Sequence, residues 1–425
     1  MRRLAVLGAT AALAATAFLT PVGSPAGAAP AATAAAAAQA KEVSTRFAMH
    51  ARGLGTKLRS DDLPVGSGAT ASRTINCTNI AGKKFENFVA QVNLPNGLGT
   101  VNGVRTRVWT AKKGNQVSSN ASQTIAGITL LEAGDLKLQV TGLKSRTKAW
   151  HDGSGYHVSS KATVLGLKLT VAGQEIPIEI PTPGQPIEIP GLLKLNIGVP
   201  KERVTQRSAY TALNALDIQI NGLHTRLKAG YSRVRIAEGV AEGLFQGHSA
   251  GIEANVLDPL VKVGKTPLSV MPCEGTGGEV QRKTTVGVDI PQVLDLGAVE
   301  VTQSANQRRG EAWGWENAEI ADVNLLGGAL RIEVVRARAE ARRKNGKLTT
   351  KAITSTARIF VNGEPTTIPI DDPIEIPGIA LIDPRVVKKI KGGVEVIALQ
   401  IKLLDGSLAT INLGIAKMRI HRTAR

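Results

Sequence analysis

The sequence predicts an all-β protein with two tandem duplicated antiparallel β-sandwich-like domains, which follow a signal peptide and an Ala-rich disordered spacer. Two observations predict this class. Apolar residues recur with a period of two rather than 3.6, as at Leu136, Leu138 and Val140, and that period is typical of strands. The chain also repeats itself in order, which indicates a duplicated structural unit. Each copy, 43–236 and 237–425, has the size of one β domain.

Residues 1–28 have the order of a secretory signal peptide. Two arginines precede an apolar run that ends at Leu19, and small residues follow it up to Ala28, where cleavage is expected. The arginine pair leaves twin-arginine export open, but ordinary secretion fits better because no polar recognition residues surround the pair. Residues 29–42 are an Ala-rich tract of low complexity and are expected to be a disordered spacer. No later stretch reaches the roughly 18 apolar residues of a transmembrane helix.

Six landmarks keep their order in the two copies, which unrelated low-complexity matches would not do. They are FAMHARGL from Phe47 and FQGHSAGI from Phe245; Cys77 and Cys273; ITLLEAGDLKLQV from Ile128 and VNLLGGALRIEVV from Val323; LTVAGQEIPIEI from Leu169 and IFVNGEPTTIPI from Ile359; PIEIPG from Pro186 and from Pro373; and GYSRVRI ending at Ile236 and GIAKMRI ending at Ile420. The offset between partners drifts slowly, as two copies with short loop deletions would give.

Turn signals also recur at matching places and predict hairpins, since they supply positive φ angles. They are Asp152–Gly153 with Asn345–Gly346, Ala172–Gly173 with Asn362–Gly363, and Asn221–Gly222 near the position of Asp405–Gly406. Residues 331–346 could form a helix on propensity alone. Their partner, 136–153, carries Val, Thr, Gly and Trp, so both segments are predicted to be strands. The proline-bracketed runs 176–190 and 368–377 are predicted to be sheet edges or loops, because proline lacks a ladder donor.

The two cysteines, Cys77 and Cys273, occupy equivalent points of the copies, and there is no third thiol to compete. Secretion favours oxidation, so a Cys77–Cys273 disulfide is predicted. The alternative is a pair of buried free thiols whose Cα atoms lie too far apart to be bridged.

The string GHSAG, Gly247 to Gly251, matches the nucleophile elbow of esterases and would present Ser249. The elbow needs a parallel sheet with helices, and the flanking pattern predicts neither. The fold also requires an acid and then a histidine downstream, and His421 is the only later histidine. A secreted serine hydrolase that uses Ser249 is therefore an alternative, and no catalytic residue is assigned.

No metal or cofactor is expected. The other histidines form no pair at useful ligand spacing; they are His50, His151, His157, His224 and His248. His50 and His248 hold matching positions, which favours a shared structural role. The pair Asp371–Asp372 lacks the alternating oxygen ligands and turn glycine of a calcium loop, so a solvated loop is predicted there.

The chain is basic, with 52 Lys and Arg against 34 Asp and Glu and a formal charge of +18. The basic residues cluster at 144–148, 306–310 and 336–347. Aromatic residues make up only 3% of the chain, which counts against base stacking and sugar platforms. No specific nucleic-acid partner is expected. Anionic cell-wall polymers are the expected partner class, because charge alone attracts them over long range; solvated strand faces are the alternative explanation.

Three segments resemble the choice-of-anchor P family of exported actinobacterial proteins: Pro272–Val280 (PCEGTGGEV), Leu325–Leu330, and the FVNGEP…IPIDDPIEIPG stretch of Phe360–Gly378. Weaker equivalents follow Cys77, Leu130 and Val171. The resemblance implies a β-rich ectodomain, and this chain is expected to be an anchorless variant. It implies no activity and no catalytic residues.

The sequence therefore predicts a secreted or extracellular, non-catalytic structural or binding protein of the cell envelope, with no ligand identified. Two alternatives remain. One is the serine hydrolase that uses Ser249, and the other is a binder of anionic envelope polymers or carbohydrate.

Overall fold

The computed structural model describes residues 41–60, 69–94, 97–130, 136–191, 193–221, 225–257, 260–290, 293–366, 372–404 and 409–423. In these ranges the chain forms antiparallel β-strands and no α-helix, so the all-β class predicted from the period of two is confirmed. No helix in the described part of the chain is long and apolar enough to cross a membrane. The predicted signal peptide, 1–28, and nearly all of the spacer lie outside these residues.

The first half of the chain forms two sheets. Its strands are β1 (Val43–Ser60), β2 (Arg73–Ala81), β3 (Lys84–Leu94), β4 (Gly99–Lys113), β5 (Gln116–Leu130), β6 (Leu136–Asp152), β7 (Gly155–Thr163), β8 (Gly166–Val171), β9 (Gln174–Pro177), β10 (Ile187–Ile189), β11 (Leu193–Asn196), β12 (Lys201–Thr205), β13 (Ser208–Ile220) and β14 (Thr225–Ala237). Sheet I has the order β10-β11-β13-β14-β1-β2, with β12 beside β13. Sheet II has the order β3-β4-β5-β6-β8-β9, with β7 beside β6.

The second half forms two further sheets. Its strands are β15 (Gly243–Leu257), β16 (Leu260–Val270), β17 (Gln281–Ile290), β18 (Leu294–Arg308), β19 (Glu311–Leu325), β20 (Leu330–Lys344), β21 (Lys347–Val361), β22 (Glu364–Thr366), β23 (Ile374–Ile376), β24 (Ala380–Ile390), β25 (Gly393–Leu403) and β26 (Thr410–Arg422). Sheet III has the order β16-β15-β26-β25-β24-β23, and sheet IV has the order β17-β18-β19-β20-β21-β22.

Within each half the two sheets pack face to face around an aliphatic core. In the first half, β1, β13 and β14 of sheet I cover β5 and β6 of sheet II. In the second half, β25 and β26 of sheet III cover β19, β20 and β21 of sheet IV. Fully buried side chains such as Leu138, Ile218, Ile332 and Ile411 fill the space between the layers. Each such aliphatic side chain stabilises the fold by about 1.5–3 kcal/mol through its removal from water.

The strand orders of the two halves correspond position by position. β15 stands in sheet III where β1 stands in sheet I, and β19 stands in sheet IV where β5 stands in sheet II. One difference is local: the long strand β21 occupies the place that β7 and β8 share beside β6. Descent of both halves from one ancestral module stays a prediction of the sequence repeat.

The structure decides between the alternatives that the sequence left open for two kinds of segment. Residues 330–344 form strand β20, not a helix, and bury every second side chain on most of their length. The proline-bracketed runs supply only β9, β10 and β23, each of which ends its sheet. Both predictions are confirmed. Residues 330–344 form a strand because the inward-facing aliphatic residues of β20 outweigh its helix propensity.

Three of the predicted turns have the expected backbone. Ala172–Gly173, Asn345–Gly346 and Asn362–Gly363 connect paired strands and have positive φ at both residues. The interpretation of Asp152–Gly153 was wrong by one residue: Asp152 ends β6, and the turn is Gly153–Ser154. Asp152 Oδ1 accepts the backbone N–H of Ser154 at 2.9 Å, which is the local bond that turns the chain here. The turns predicted at 221–222 and 405–406 lie wholly or partly outside the described residues.

Contacts beside the connector, residues 238–242, join the two halves and also hold the connector against the second half. The predicted disulfide between Cys77 and Cys273 is confirmed, with Cα atoms 5.3 Å apart and a sequence separation of 196. Arg235 of β14 forms an ion pair with Glu274. Gln307 of β18 accepts backbone N–H bonds from Ala241, Glu242 and Gly243 at 3.0–3.1 Å through one oxygen.

Candidate functional site

All four tryptophans of the chain lie on the outer faces of sheets II and IV. They are Trp109 in β4, Trp150 in β6, and Trp313 and Trp315 in β19. Each is half-buried, and the residues beside them, such as Val108 and Ala312, point into the core. A chain with so few aromatic residues therefore keeps its largest side chains at the surface, where tryptophan usually serves recognition.

A surface that we call the basic face covers the outside of sheet II. Its cations are Lys84, Arg105, Arg107, Lys144, Arg146, Lys148 and Lys161, which the register places on the same side as Trp109 and Trp150. On the neighbouring strand β3, Glu86 lies 3.1 Å from Arg105 and 2.9 Å from Arg107. Cations thus greatly outnumber carboxylates here.

The aromatic rings of the basic face contact its cations. Lys148 Nζ lies 4.6 Å from the Trp150 ring centroid, and the Arg146 guanidinium lies 5.8 Å from that of Trp109. The His157 ring stacks on Trp150 with centroids 5.2 Å apart, and Trp150 Nε1 donates to Asp152 Oδ2 at 3.2 Å. Partial burial and the nearby charge of Arg146 lower the pKa of Lys148. The contribution of Arg146 reflects the closeness of two cations on this surface, and the nearby carboxylate of Asp152 acts in the opposite direction.

A second surface feature, which we call the groove, lies outside sheet IV. It has a volume of about 650 Å³, which is in the range of small-ligand sites. Its floor contains Trp313 and Trp315, and β20 and β21 supply Arg338, Arg342 and Lys351. Arg338 lies over the Trp315 ring at 4.2 Å from the centroid.

The charges of the groove are organised into ion pairs. Glu311 binds both Arg308 and Arg342, whose hydrogen bonds lower the pKa of the Glu311 carboxyl. Arg338 Nε donates to Glu340 at 2.7 Å. Unlike the basic face, the groove therefore offers both donors and acceptors in fixed positions.

Ser249, the candidate nucleophile, lies in the middle of antiparallel strand β15 and is fully buried. Its hydroxyl donates to Glu316 Oε2 at 2.8 Å. Burial raises the pKa of Glu316 well above its usual value, which favours the neutral form of this carboxyl. The strand-to-helix turn of an esterase elbow is absent at this position, and the structure does not bring Ser249 together with a histidine through any hydrogen bond in the described residues.

The histidines are dispersed as structural residues. Burial, aided by Arg233 and other arginines, lowers the pKa of His50 to about 3, and burial with Lys265 lowers that of His248 to about 4. His151 packs against Phe47, with ring centroids 4.8 Å apart. His224 and Asp371 lie outside the described residues. In the described ranges no three metal-ligating side chains form a cluster.

A Ser–His–Asp cluster that sequence reasoning missed lies at the β6–β7 turn. Ser154 Oγ donates to Asp152 Oδ1 at 2.6 Å, and His157 Nε2 lies 3.2 Å from the same carboxylate oxygen. The Ser154 hydroxyl also lies 3.1 Å from His157 Nε2. A catalytic triad would use the two ring nitrogens separately. Here one nitrogen faces both partners, so the cluster holds the turn and leaves the hydroxyl unactivated.

The tryptophan positions could have been found from the sequence. In the alternating strand EAWGWENAEI, both tryptophans share the parity of Glu311, Asn317 and Glu319. Side chains two residues apart face the same side of a sheet, so this parity predicts outward rings. The aromatic content of the chain does not contain this information, because it ignores the position of each tryptophan within its strand.

The comparisons with known proteins do not identify a family. No family model matches the chain, and no curated protein matches it. A solved structure that matches weakly is the toluene transporter TbuX of Ralstonia pickettii, with 9% identity over 89% of each chain and a TM-score of 0.12. A score of that size carries no argument about fold or function. The resemblance to the choice-of-anchor P family stays a prediction.

Proposed function

We propose that this protein is an exported, non-catalytic binding protein of the cell envelope, and that its basic face binds anionic envelope polymers. The single observation that carries the proposal is the basic face itself. Seven lysines and arginines share one outer sheet surface with two tryptophans, and Glu86 is the carboxylate that reaches them from β3. The signal sequence predicted at 1–28 supports the extracellular location.

Electrostatics favours a polymer over a small anion. Most of the cations on the basic face project into solvent from adjacent strands, where each single ion pair would contribute at most about 1 kcal/mol. A polymer with regularly spaced charges can meet many of them at once. The attraction is long-ranged and is screened by salt over about 8 Å at physiological ionic strength.

The environment of Ser249 supports the non-catalytic part of the proposal. A nucleophile must be reachable and must be activated by a base. Ser249 is fully buried, and its hydroxyl donates a hydrogen bond to Glu316, a carboxyl whose pKa burial raises and which is not a histidine base. Neither condition for attack is met at this hydroxyl.

Retention of the purified chain on immobilised poly(glycerol phosphate) tests the basic face. We expect the triple variant Arg105→Gln, Lys144→Gln, Arg146→Gln to elute at a lower salt concentration than the wild type. The matched control removes the same charge from exposed positions of sheet IV: Arg331→Gln, Arg336→Gln, Arg358→Gln. It should elute nearly with the wild type.

Two results would contradict the proposal. An equal decrease in the eluting salt concentration of the two triple variants would mean that the net charge of the protein, and not the basic face, causes retention. Retention that is independent of salt would exclude an electrostatic mechanism. Ester turnover that vanishes in Ser249→Ala would contradict the non-catalytic assignment.

A further inference from the structure

We propose that the groove outside sheet IV is a separate binding site for an acidic oligosaccharide, that is, a chain of sugar rings carrying carboxylate groups. The inference goes beyond the proposed function, because it concerns another sheet, another half of the chain and another ligand class. It stands or falls independently of polymer binding by the basic face.

The aromatic floor provides the stacking surface. Trp313 and Trp315 are two residues apart in β19 and face the same side, so their attachment points lie about 7 Å apart along the strand. Arg338 covers Trp315 at 4.2 Å and holds that ring in place. Because Arg338 occupies one face of Trp315, the ring offered for stacking against the apolar C–H side of a sugar is that of Trp313, which also lines the groove.

The polar rim matches hydroxyl groups. Arg308 and Arg342 each use two N–H groups on Glu311, and a guanidinium carries five. The carboxylates of Glu311 and Glu340 accept hydrogen bonds. A sugar hydroxyl both donates and accepts, so it can use both kinds of group, whereas an ionised phosphate chain has no donors for the carboxylates.

The charge balance selects an acidic sugar over a neutral one. Four cations line the groove, namely Arg308, Arg338, Arg342 and Lys351, and two carboxylates oppose them. Of the two positive charges left over, one comes from the two arginines that share Glu311 and the other from Lys351. Guanidinium groups bind carboxylates through two parallel hydrogen bonds.

Tryptophan fluorescence can report on the groove alone. In the double variant Trp109→Phe, Trp150→Phe, the two remaining tryptophans are both in the groove. This variant is titrated with heptameric oligogalacturonate as the probe. Maltoheptaose serves as the neutral saccharide of equal length, and polyphosphate serves as the anion without sugar rings.

We expect oligogalacturonate to change the fluorescence in a saturable way, with a Kd at least tenfold lower than that of maltoheptaose. Polyphosphate should leave the signal unchanged. Adding Arg342→Gln should raise the Kd for oligogalacturonate at least tenfold. Arg308 is 81% exposed, so Arg308→Gln provides a second test that does not depend on whether the Arg342 variant folds. The control Arg336→Gln, on the same strand outside the groove, should not change the Kd.

The absence of a saturable response to oligogalacturonate would overturn the proposal. An equal Kd for maltoheptaose would exclude selection for acidic sugars, and an equal response to polyphosphate would exclude saccharide recognition. An equal loss in Arg336→Gln would exclude the groove as the site. Failure of the proposed function is distinguished by the basic-face triple variant, which should bind oligogalacturonate with unchanged Kd in the same reporter background.

Discussion

Glu316 is a carboxyl group enclosed within the second half of the molecule. Its side chain is fully buried and accepts a hydrogen bond from the Ser249 hydroxyl. Burial raises its pKa, and the hydrogen bond from Ser249 and the charge of Lys283 offset only part of that effect. The folded chain therefore keeps Glu316 protonated at a pH where the unfolded chain would ionise it.

Replacing Glu316 should change how stability depends on pH. In the wild type the buried carboxyl of Glu316 gives its full contribution to the free energy of unfolding below about pH 4.5, the pKa of a glutamate in the unfolded chain. This contribution is lost as the pH rises towards the pKa of Glu316 in the folded protein. The loss amounts to about 1.4 kcal/mol per pH unit. We expect Glu316→Gln to remove that slope from urea unfolding measured at increasing pH above about 4.5.

The exposed Glu319→Gln on the same strand is the control, and it should keep the wild-type slope. A Glu316→Gln profile parallel to that of the wild type would mean that Glu316 is ionised in the folded protein.

Single residues also mark where sequence reasoning ended. The disulfide could be predicted because Cys77 and Cys273 hold equivalent places in the sequence repeat. The surface role of the tryptophans was not predicted, because a count of aromatic residues carries no information about which way a strand turns them. GHSAG matched a motif of reactive serines, but the fold buries Ser249 in a strand, and a motif acquires chemistry only in its proper structural context.

Among the strands, β6 and β20 share an interruption of their pairing. In β6 it falls at Gly142 and in β20 at Val334, and both residues have positive φ, 63° and 49°. Glycine adopts this conformation without strain, whereas a β-branched residue does so at a cost of about 1–2 kcal/mol. At this position of positive φ the first half therefore has a glycine, which fits, and the second half has a valine, which is strained.

We expect Val334→Gly to raise the free energy of unfolding by up to about 1 kcal/mol, because relief of strain exceeds the entropy cost of a glycine. The reciprocal change Gly142→Val should lower it, since a Cβ there would collide with Leu165. Guanidinium chloride unfolding of both variants measures the two effects. Destabilisation by Val334→Gly would mean that side-chain contacts of Val334 outweigh its backbone strain.

Element prediction succeeded where two copies constrained each other. Residues 331–346 have the composition of a helix, and only the β-favouring residues of 136–153 pointed to a strand. The predicted turn at Asp152–Gly153 was wrong by one residue, because the chain turns where the Asp152 side chain accepts the backbone N–H of Ser154. Local hydrogen bonds of this kind are invisible to a pattern of turn dipeptides.

At the scale of the molecule, the Cys77–Cys273 disulfide closes 196 residues of chain. In the chain-entropy model such a loop restricts the unfolded state by roughly 5 kcal/mol. We expect the double variant Cys77→Ser, Cys273→Ser to lose a large part of that stability in non-reducing urea unfolding. The wild type with reductant should match it, and an unchanged unfolding midpoint would show that the loop restriction is offset elsewhere.

The all-β class and the edge position of the proline runs could be predicted, because periodicity and the missing proline donor are local properties. The packing of sheet I on sheet II and of sheet III on sheet IV could not, since it depends on which aliphatic faces meet in space. The groove depends on that packing too: it forms where β19, β20 and β21 present one continuous outer surface.

The disulfide also determines how the molecule would respond to mechanical tension. A force applied at residues 41 and 423 passes along covalent bonds from Cys77 directly to Cys273, so the connector and most of the first half are outside the load path. Once the bond is reduced, unfolding of the strands inside this loop under load would release that hidden length, roughly 650 Å when fully stretched. An oxidised molecule held between a cell surface and its environment would therefore behave as a short tether, and a reduced one as a long tether.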